Sequence, residues 1–216
     1  MKKSIAKLFI IFILIVIVSI MLIVLLNKKV IPIYMEYSEI EMKRVVTTVI
    51  NKSINEIELS DNLFILKNDD DIKIIDYDPK VLNSILSNIS NNVYDNLKLV
   101  EKMDNNILNR FNISKSIFYI PSFIIFNSVM LNNLGPKIPI KLELIESVNS
   151  NVETKVTEYG INNSLIEVSV KVNTSVKMIL PLSSKDVDVS VVVPLTIKII
   201  QGSIPEYYFG DLKRSS

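Results

Sequence analysis

The chain has 216 residues, 49% of them apolar, with 24 basic and 23 acidic side chains and no histidine, cysteine or tryptophan. Without histidine or cysteine there can be no Ser-His-Asp or Cys-His nucleophile, no disulfide, and no zinc site of the thiolate or imidazole kind. Lys2, Lys3 and Lys7 precede the first apolar run, which leaves 21 basic against 23 acidic residues behind it; so balanced a domain suits phosphate backbones poorly, and no nucleic-acid partner is expected.

Leu8 to Leu26 is apolar throughout except for Ser19. As a helix this run spans roughly 28 Å, close to the hydrocarbon thickness of a bilayer. A cleaved signal peptide would have a shorter apolar region ending in small residues. Here the run ends in Leu25-Leu26-Asn27-Lys28-Lys29, so a retained single-pass signal anchor is expected, with membrane lipid as its partner. Lys2, Lys3 and Lys7 lie on a short tail undiluted by acids, which favours a cytoplasmic N-terminus and an extracytoplasmic domain. The expected organisation is a cytoplasmic tail over 1–7, the anchor over 8–26, one α+β domain over 34–210 and a polar tail over 211–216.

Beyond Pro32, Met35, Met42, Val46, Val49, Ile50, Ile54 and Ile57 recur at helical spacing, which predicts a helix from Tyr34 to Ile57. Two short apolar runs, Leu63–Leu66 and Ile72–Ile75, flank Lys67-Asn68-Asp69-Asp70-Asp71 and predict a β-hairpin. The Asp cluster lacks the alternating acids, central glycine and distal glutamate of a calcium-binding hand, so it reads as a solvated turn. Asp78 followed by Pro79 is a helix start, and Leu82, Leu86, Ile89, Val93, Leu97 and Val100 form the apolar stripe of a second helix.

The C-terminal part alternates with period two. Ile138, Ile140, Leu142 and Leu144 begin the pattern, Val148, Val152 and Val156 continue it, and Ile166 to Leu180 share one parity. Val187, Val189, Val191, Val193, Leu195, Ile197 and Ile199 form the last apolar row. This predicts a four-stranded antiparallel meander with one buried and one wet face, covered by the helices. Tyr159–Asn163 and Pro181–Lys185 supply turns, and Pro194 belongs at an edge or a bulge.

Few catalytic designs survive. Ser4-Ile5-Ala6-Lys7 matches the Ser-x-x-Lys spacing, but it lies in the tail before the membrane run, with no fold to lower a lysine pKa. Glu143, Glu146, Glu153, Glu158 and Glu167 fall mostly on the wet face, and no spacing singles out a pair for glycoside hydrolysis. Gly135, Gly160, Gly202 and Gly210 are scattered at turns, so no phosphate-cradling loop is expected. No catalytic residue, metal site or cofactor is expected.

The segment Leu134-Gly135-Pro136-Lys137-Ile138-Pro139-Ile140-Lys141, with Ile120-Pro121 upstream, resembles the hallmark of the sporulation protein YunB family of endospore-forming Firmicutes. Tyr159-Gly160-Ile161-Asn162-Asn163 is similar to the family's A-G-I-N-Q turn, with Asn163 where glutamine is usual. Gly202-Ser203-Ile204-Pro205-Glu206-Tyr207-Tyr208 resembles its G-x-V-P-x-x-Y ending. A glycine-containing stretch of the family is replaced here by Ser122-Phe123-Ile124-Ile125-Phe126. The resemblance covers Ile120 to the end and implies a role in spore formation, in a membrane of the mother cell or around the forespore.

The expected function is therefore a non-catalytic assembly factor with a protein partner in the spore envelope. The alternatives are a lipid- or glycan-binding module, with a cavity lined by Val168, Val170, Val189 and Val191, and a carboxylate-based hydrolase. Gly135, Pro136, Lys137, Pro139, Gly160, Ile161, Asn162 and Pro205 are read as structural punctuation, and Leu8 and Leu26 as the limits of the anchor.

Overall fold

A computed structural model of the chain describes residues 2–57, 64–69, 72–126, 135–160 and 163–201. Helix α1 covers Lys2–Leu25, and a π-helical turn, Leu26–Val30, joins it directly to helix α2, Ile31–Asn55. The turn has a local cause. Pro32 lacks an N–H and cannot continue the i→i−4 ladder, and just before it the Ile31 N–H reaches back five residues to the Leu26 carbonyl. Helix thus extends further toward the N-terminus than the period from Tyr34 onward requires.

The expected hairpin is present as β1, Phe64–Asp69, paired antiparallel with β2, Ile72–Tyr77. Lys67, Asn68 and Asp69, expected in the turn, belong to the ladder, opposite Ile74, Lys73 and Ile72; Asp70 and Asp71 lie outside the described residues. Helix α3, Pro79–Glu101, starts where the sequence places it: Asp78 Oδ1 accepts the Lys80 and Val81 N–H groups, at 2.9 and 3.5 Å. A short helix α4, Asn105–Arg110, is capped by Asp104 and ends at Asn112, whose φ of 53° lies in the left-handed region that asparagine tolerates. Strand β3, Tyr119–Pro121, pairs with β4, Lys137–Pro139.

The remaining strands are β5, Lys141–Leu144, β6, Asn149–Glu158, β7, Asn163–Leu180, and β8, Ser183–Gln201. They make the expected four-stranded C-terminal sheet, in an α+β fold. Its pairing order is more particular than a simple meander. β5 and β6 pair antiparallel with successive stretches of β7, Leu144 opposite Val176 and Asn149 opposite Asn173, and β8 also pairs with β7.

Two compact units are distinguishable. The first comprises Met1–Val45, Val100–Ile145 and Val176–Val187; the second comprises Val46–Leu99, Glu146–Ser175 and Asp188–Ser216. Within the first, Met42, Val45, Leu108, Phe111, Phe118, Ile120 and Met178 are almost wholly buried. Within the second, Val49, Ile50, Ile89, Val93, Leu97, Val168, Val170 and Val172 have no accessible surface. Ser150 Oγ donates to the Leu86 carbonyl and shares a hydrogen bond with Ser90, each at 2.7 Å, and so ties β6 to α3.

Two expectations about burial are corrected. Ile197 and Ile199 were placed on the core face, but they are 59% and 53% exposed. Alternation holds through Val187 and Val189, then Leu195 and Thr196 are half-buried in succession, and the phase shifts. The shift follows Pro194, which has no N–H for the ladder, and β8 pairs only with β7 among the described strands. The second concerns the cavity that the lipid- or glycan-binding alternative calls for, lined by Val168, Val170, Val189 and Val191. A ligand-sized space would leave its lining accessible to water; Val168 and Val170 are not accessible at all, and Val189 is only 6% exposed. That part of the interior is packed.

Candidate functional site

The GPKIPI segment sits opposite Ile120-Pro121. Ile120 lies across from Ile138, and Pro121 from Lys137; the Ser122 N–H donates to the Pro136 carbonyl at 3.2 Å, and the Ile140 N–H to Phe118 at 2.8 Å. Gly135 opens this arrangement at φ +103°, and a Cβ there would lie 2.6 Å from the Phe123 ring and 2.9 Å from Ser122 Oγ. Both the backbone angle and the close approach require glycine. Pro136, Lys137 and Pro139 are exposed, while Ile140 behind them is buried. Gly160 holds φ +68° in the β6–β7 turn, closed by Tyr159 N–H donating to the Asn163 carbonyl. Ile161, Asn162 and Pro205 lie outside the described residues.

Beside this two-stranded sheet, in the first unit, is a depression of about 520 Å³ lined in part by Glu101, Tyr119, Lys141 and Glu143. Glu101 is structurally engaged: its Oε2 accepts the Leu144 N–H at 3.1 Å, which satisfies a donor at the end of β5. Lys141 and Glu143 alternate with the buried Leu142 and Leu144, so they project to the wet side of β5. In the second unit, Ser175 Oγ donates to Asp188 at 2.6 Å in a smaller polar depression that also includes Asn149, Thr174 and Ser190. Of the acidic candidates, Glu153 is ion-paired with Lys171 at 3.1 Å, and Glu143, Glu146 and Glu158 are exposed. Among the described residues no cluster of three acidic side chains is placed to hold a metal ion.

A groove of a different character, about 360 Å³, also lies in the first unit. It is lined by the π turn and the start of α2 (Leu26, Val30, Ile31, Tyr34), by Ile125 and Ile138, and by the β7–β8 turn from Leu180 to Ser183. Side-chain contacts fix its walls. The Tyr34 hydroxyl donates to the Ser122 carbonyl, and Ser38 Oγ donates to the Tyr34 carbonyl at 2.6 Å. Burial raises the Tyr34 pKa above the ordinary phenol value. On the hairpin side, Glu39 is gripped by two lysines: Lys185 on β8 donates to Oε2, and Lys43 lies 2.9 Å from Oε1. The hydrogen bond from Lys185 is the main cause of a lowered Glu39 pKa, and Lys43 adds to it.

Helix α1 is long and apolar enough to cross a membrane, and none of its apolar stretch is buried against the rest of the chain. Every large apolar side chain from Phe9 to Leu26 is between 37% and 64% exposed. A helix in the core of a water-soluble protein would bury one face. Of the two residues that bound the expected anchor, Leu8 lies within α1 and Leu26 begins the π turn.

Sequence reading missed the polar lock in the second unit. Asn96, on the buried face of α3, donates from Nδ2 to Ser53 Oγ at 2.8 Å, and Asn92 donates to the Ser53 carbonyl at 2.9 Å. Ser53 is wholly buried. The signal was present as asparagines at i and i+4 within an otherwise apolar stripe.

Comparison with known proteins gives consistent matches. The family model described as Sporulation protein YunB matches residues 117–207. A curated relative, "Sporulation protein YunB" of Bacillus subtilis (strain 168), is 34% identical over 193 residues, covering 87% of this chain and 75% of the relative. No solved structure matches.

Proposed function

The chain belongs to the sporulation protein YunB family, and from that premise we propose that it acts in endospore formation as a membrane-anchored, non-catalytic assembly factor. Helix α1 holds it in a membrane of the sporulating cell, with the N-terminus cytoplasmic and the folded part extracytoplasmic. There it works by contact with another protein of the spore envelope.

One observation carries this reading: an apolar helical stretch with no buried face leads, without a break in helix, into α2, whose later turns are core. The carboxylates add support, because Glu143, Glu146 and Glu158 are exposed, Glu153 is ion-paired and Glu101 is bonded to backbone rather than gathered around a reacting centre. Action by contact is supported by Val156, Tyr159, Ile197 and Ile199, all more than half exposed. They occupy the end of the sheet where the β6–β7 turn and the end of β8 lie. Apolar surface of this kind is typical of interaction sites.

The test is a deletion strain complemented with a fluorescent fusion, combined with crosslinking in sporulating cells. The reading expects a defect confined to sporulation, membrane fluorescence, and a recurrent crosslinked protein that is lost on Val156→Ser/Ile197→Ser. Repeated crosslinking that returns no protein, self-association included, would overturn the assembly role. Loss of sporulation on replacing one exposed Glu or Asp, with the fold intact, would favour a hydrolase instead.

A further inference from the structure

We infer, on the reading that α1 spans the bilayer, that the apolar groove of the first unit takes an acyl chain of a membrane phospholipid and seats that unit on the leaflet from which α1 emerges. Position is the first argument. Leu26 both ends the apolar run and begins the groove wall, and Tyr34 lies roughly 12 Å further along the helix. The headgroup layer of one leaflet is roughly 5–8 Å deep, so the groove opens across the boundary between hydrocarbon and headgroups.

Chemistry is the second argument. The walls are almost wholly hydrocarbon: Leu26, Val30, Ile31, Ile125, Leu180 and Leu182. The Tyr34 hydroxyl, one of few polar groups there, is already used by the Ser122 carbonyl. Leu182 sits 76% exposed at the tip of the two-residue β7–β8 turn. A leucine there gains from leaving water, and the Glu39–Lys185 contact holds the hairpin against α2 so that its tip stays beside the helix. Charge is the third. Lys28 and Lys29 are exposed on the same π turn, at the depth of lipid phosphates. A groove that is apolar within, beside basic side chains that lie outside its lining, suits a phospholipid better than a protein segment. The groove volume lies within the range of sites that enclose small molecules.

The chain has no tryptophan, so an introduced one reports alone. Full-length Leu182→Trp is placed in vesicles of phosphatidylethanolamine and phosphatidylglycerol, some carrying bromine on their acyl chains. Val192→Trp, at a 51% exposed position in the second unit, is the comparison. Flotation is checked first, and matched circular dichroism confirms that both variants fold. The inference expects Leu182→Trp to emit to the blue of Val192→Trp, to lose most of its intensity to bromolipid, and to resist aqueous iodide; Val192→Trp should do the reverse. If the protein floats but Leu182→Trp behaves like Val192→Trp, the groove assignment is wrong and the anchor stands. Blue-shifted emission untouched by bromolipid would mean that protein covers the groove, and would also overturn the assignment. Failure to float removes the anchor and this inference with it.

Discussion

Replacing Gly135 with alanine tests whether the GPKIPI segment is rigid punctuation. At φ +103° a side chain is held outside the ordinary left-handed well, a strain of about 1–3 kcal/mol. The new Cβ would lie 2.6 Å from the Phe123 ring, which must swing away from a half-buried position; crowding of this kind costs roughly 1–3 kcal/mol. Together these destabilise the fold by about 2–6 kcal/mol, or ~4–24 °C in Tm for a chain of this size. Gly160→Ala is the internal control. Its φ of +68° lies near the left-handed well, and its nearest neighbour, Asn163 Nδ2, is 3.9 Å away. Only the left-handed cost of about 1 kcal/mol applies there. Thermal melts of both variants and the parent, followed by far-UV circular dichroism in the same detergent, read the difference. Equal shifts for the two glycines would refute the claim that crowding at Gly135 matters.

Two further predictions rest on polar contacts. Asn96→Ala should lower stability by roughly 1–3 kcal/mol, because it strips the wholly buried Ser53 hydroxyl of a partner. Denaturant melts of Asn96→Ala, Ser53→Ala and the double variant should show coupling, and strict additivity would contradict the contact. Glu39 has a folded pKa below its ordinary value near 4.5, so its contribution is fully present above that value and is lost as pH falls through the lowered one. Glu39→Gln should therefore melt lower than the parent near neutral pH and converge with it under acid conditions. A difference that grows on acidification would contradict the lysine grip.

What the sequence disclosed was whatever repeats along one element. The α3 stripe and its Asp78–Pro79 start were legible, as was the alternation from Ile166 to Leu180, because burial there follows a single period. Ile85 was overlooked, yet it is buried while Leu82 and Leu86 are half-buried, because the buried stripe drifts along a long helix. The β3–β4 pair could not be read: Ile138 continues the alternation of Ile140, Leu142 and Leu144 and so reads as the start of the meander, whereas Lys137–Pro139 pairs with β3 through a contact across the intervening chain. Ile197 and Ile199 misled because alternation continues in sequence after Pro194 while the burial phase shifts. At the candidate site, the resemblance marked Ile120-Pro121 and Gly135–Ile140 as separate pieces, and only the fold sets them opposite each other. The apolar groove was invisible for the same reason: its walls come from the α1–α2 junction, Ile125, Ile138 and the β7–β8 turn.

The account rests on α1 lying in a bilayer with the folded part beyond it, and the absence of cysteine makes that directly measurable. Lys7→Cys and Asn109→Cys, both at exposed positions, are expressed separately in full-length protein and treated on intact protoplasts with a membrane-impermeant maleimide. The account predicts that Asn109→Cys is labelled at once, that Lys7→Cys is labelled only after lysis, and that both proteins stay in the pellet after alkaline carbonate extraction. Intact full-length chain in the carbonate supernatant, or labelling of Lys7→Cys before lysis, would contradict it.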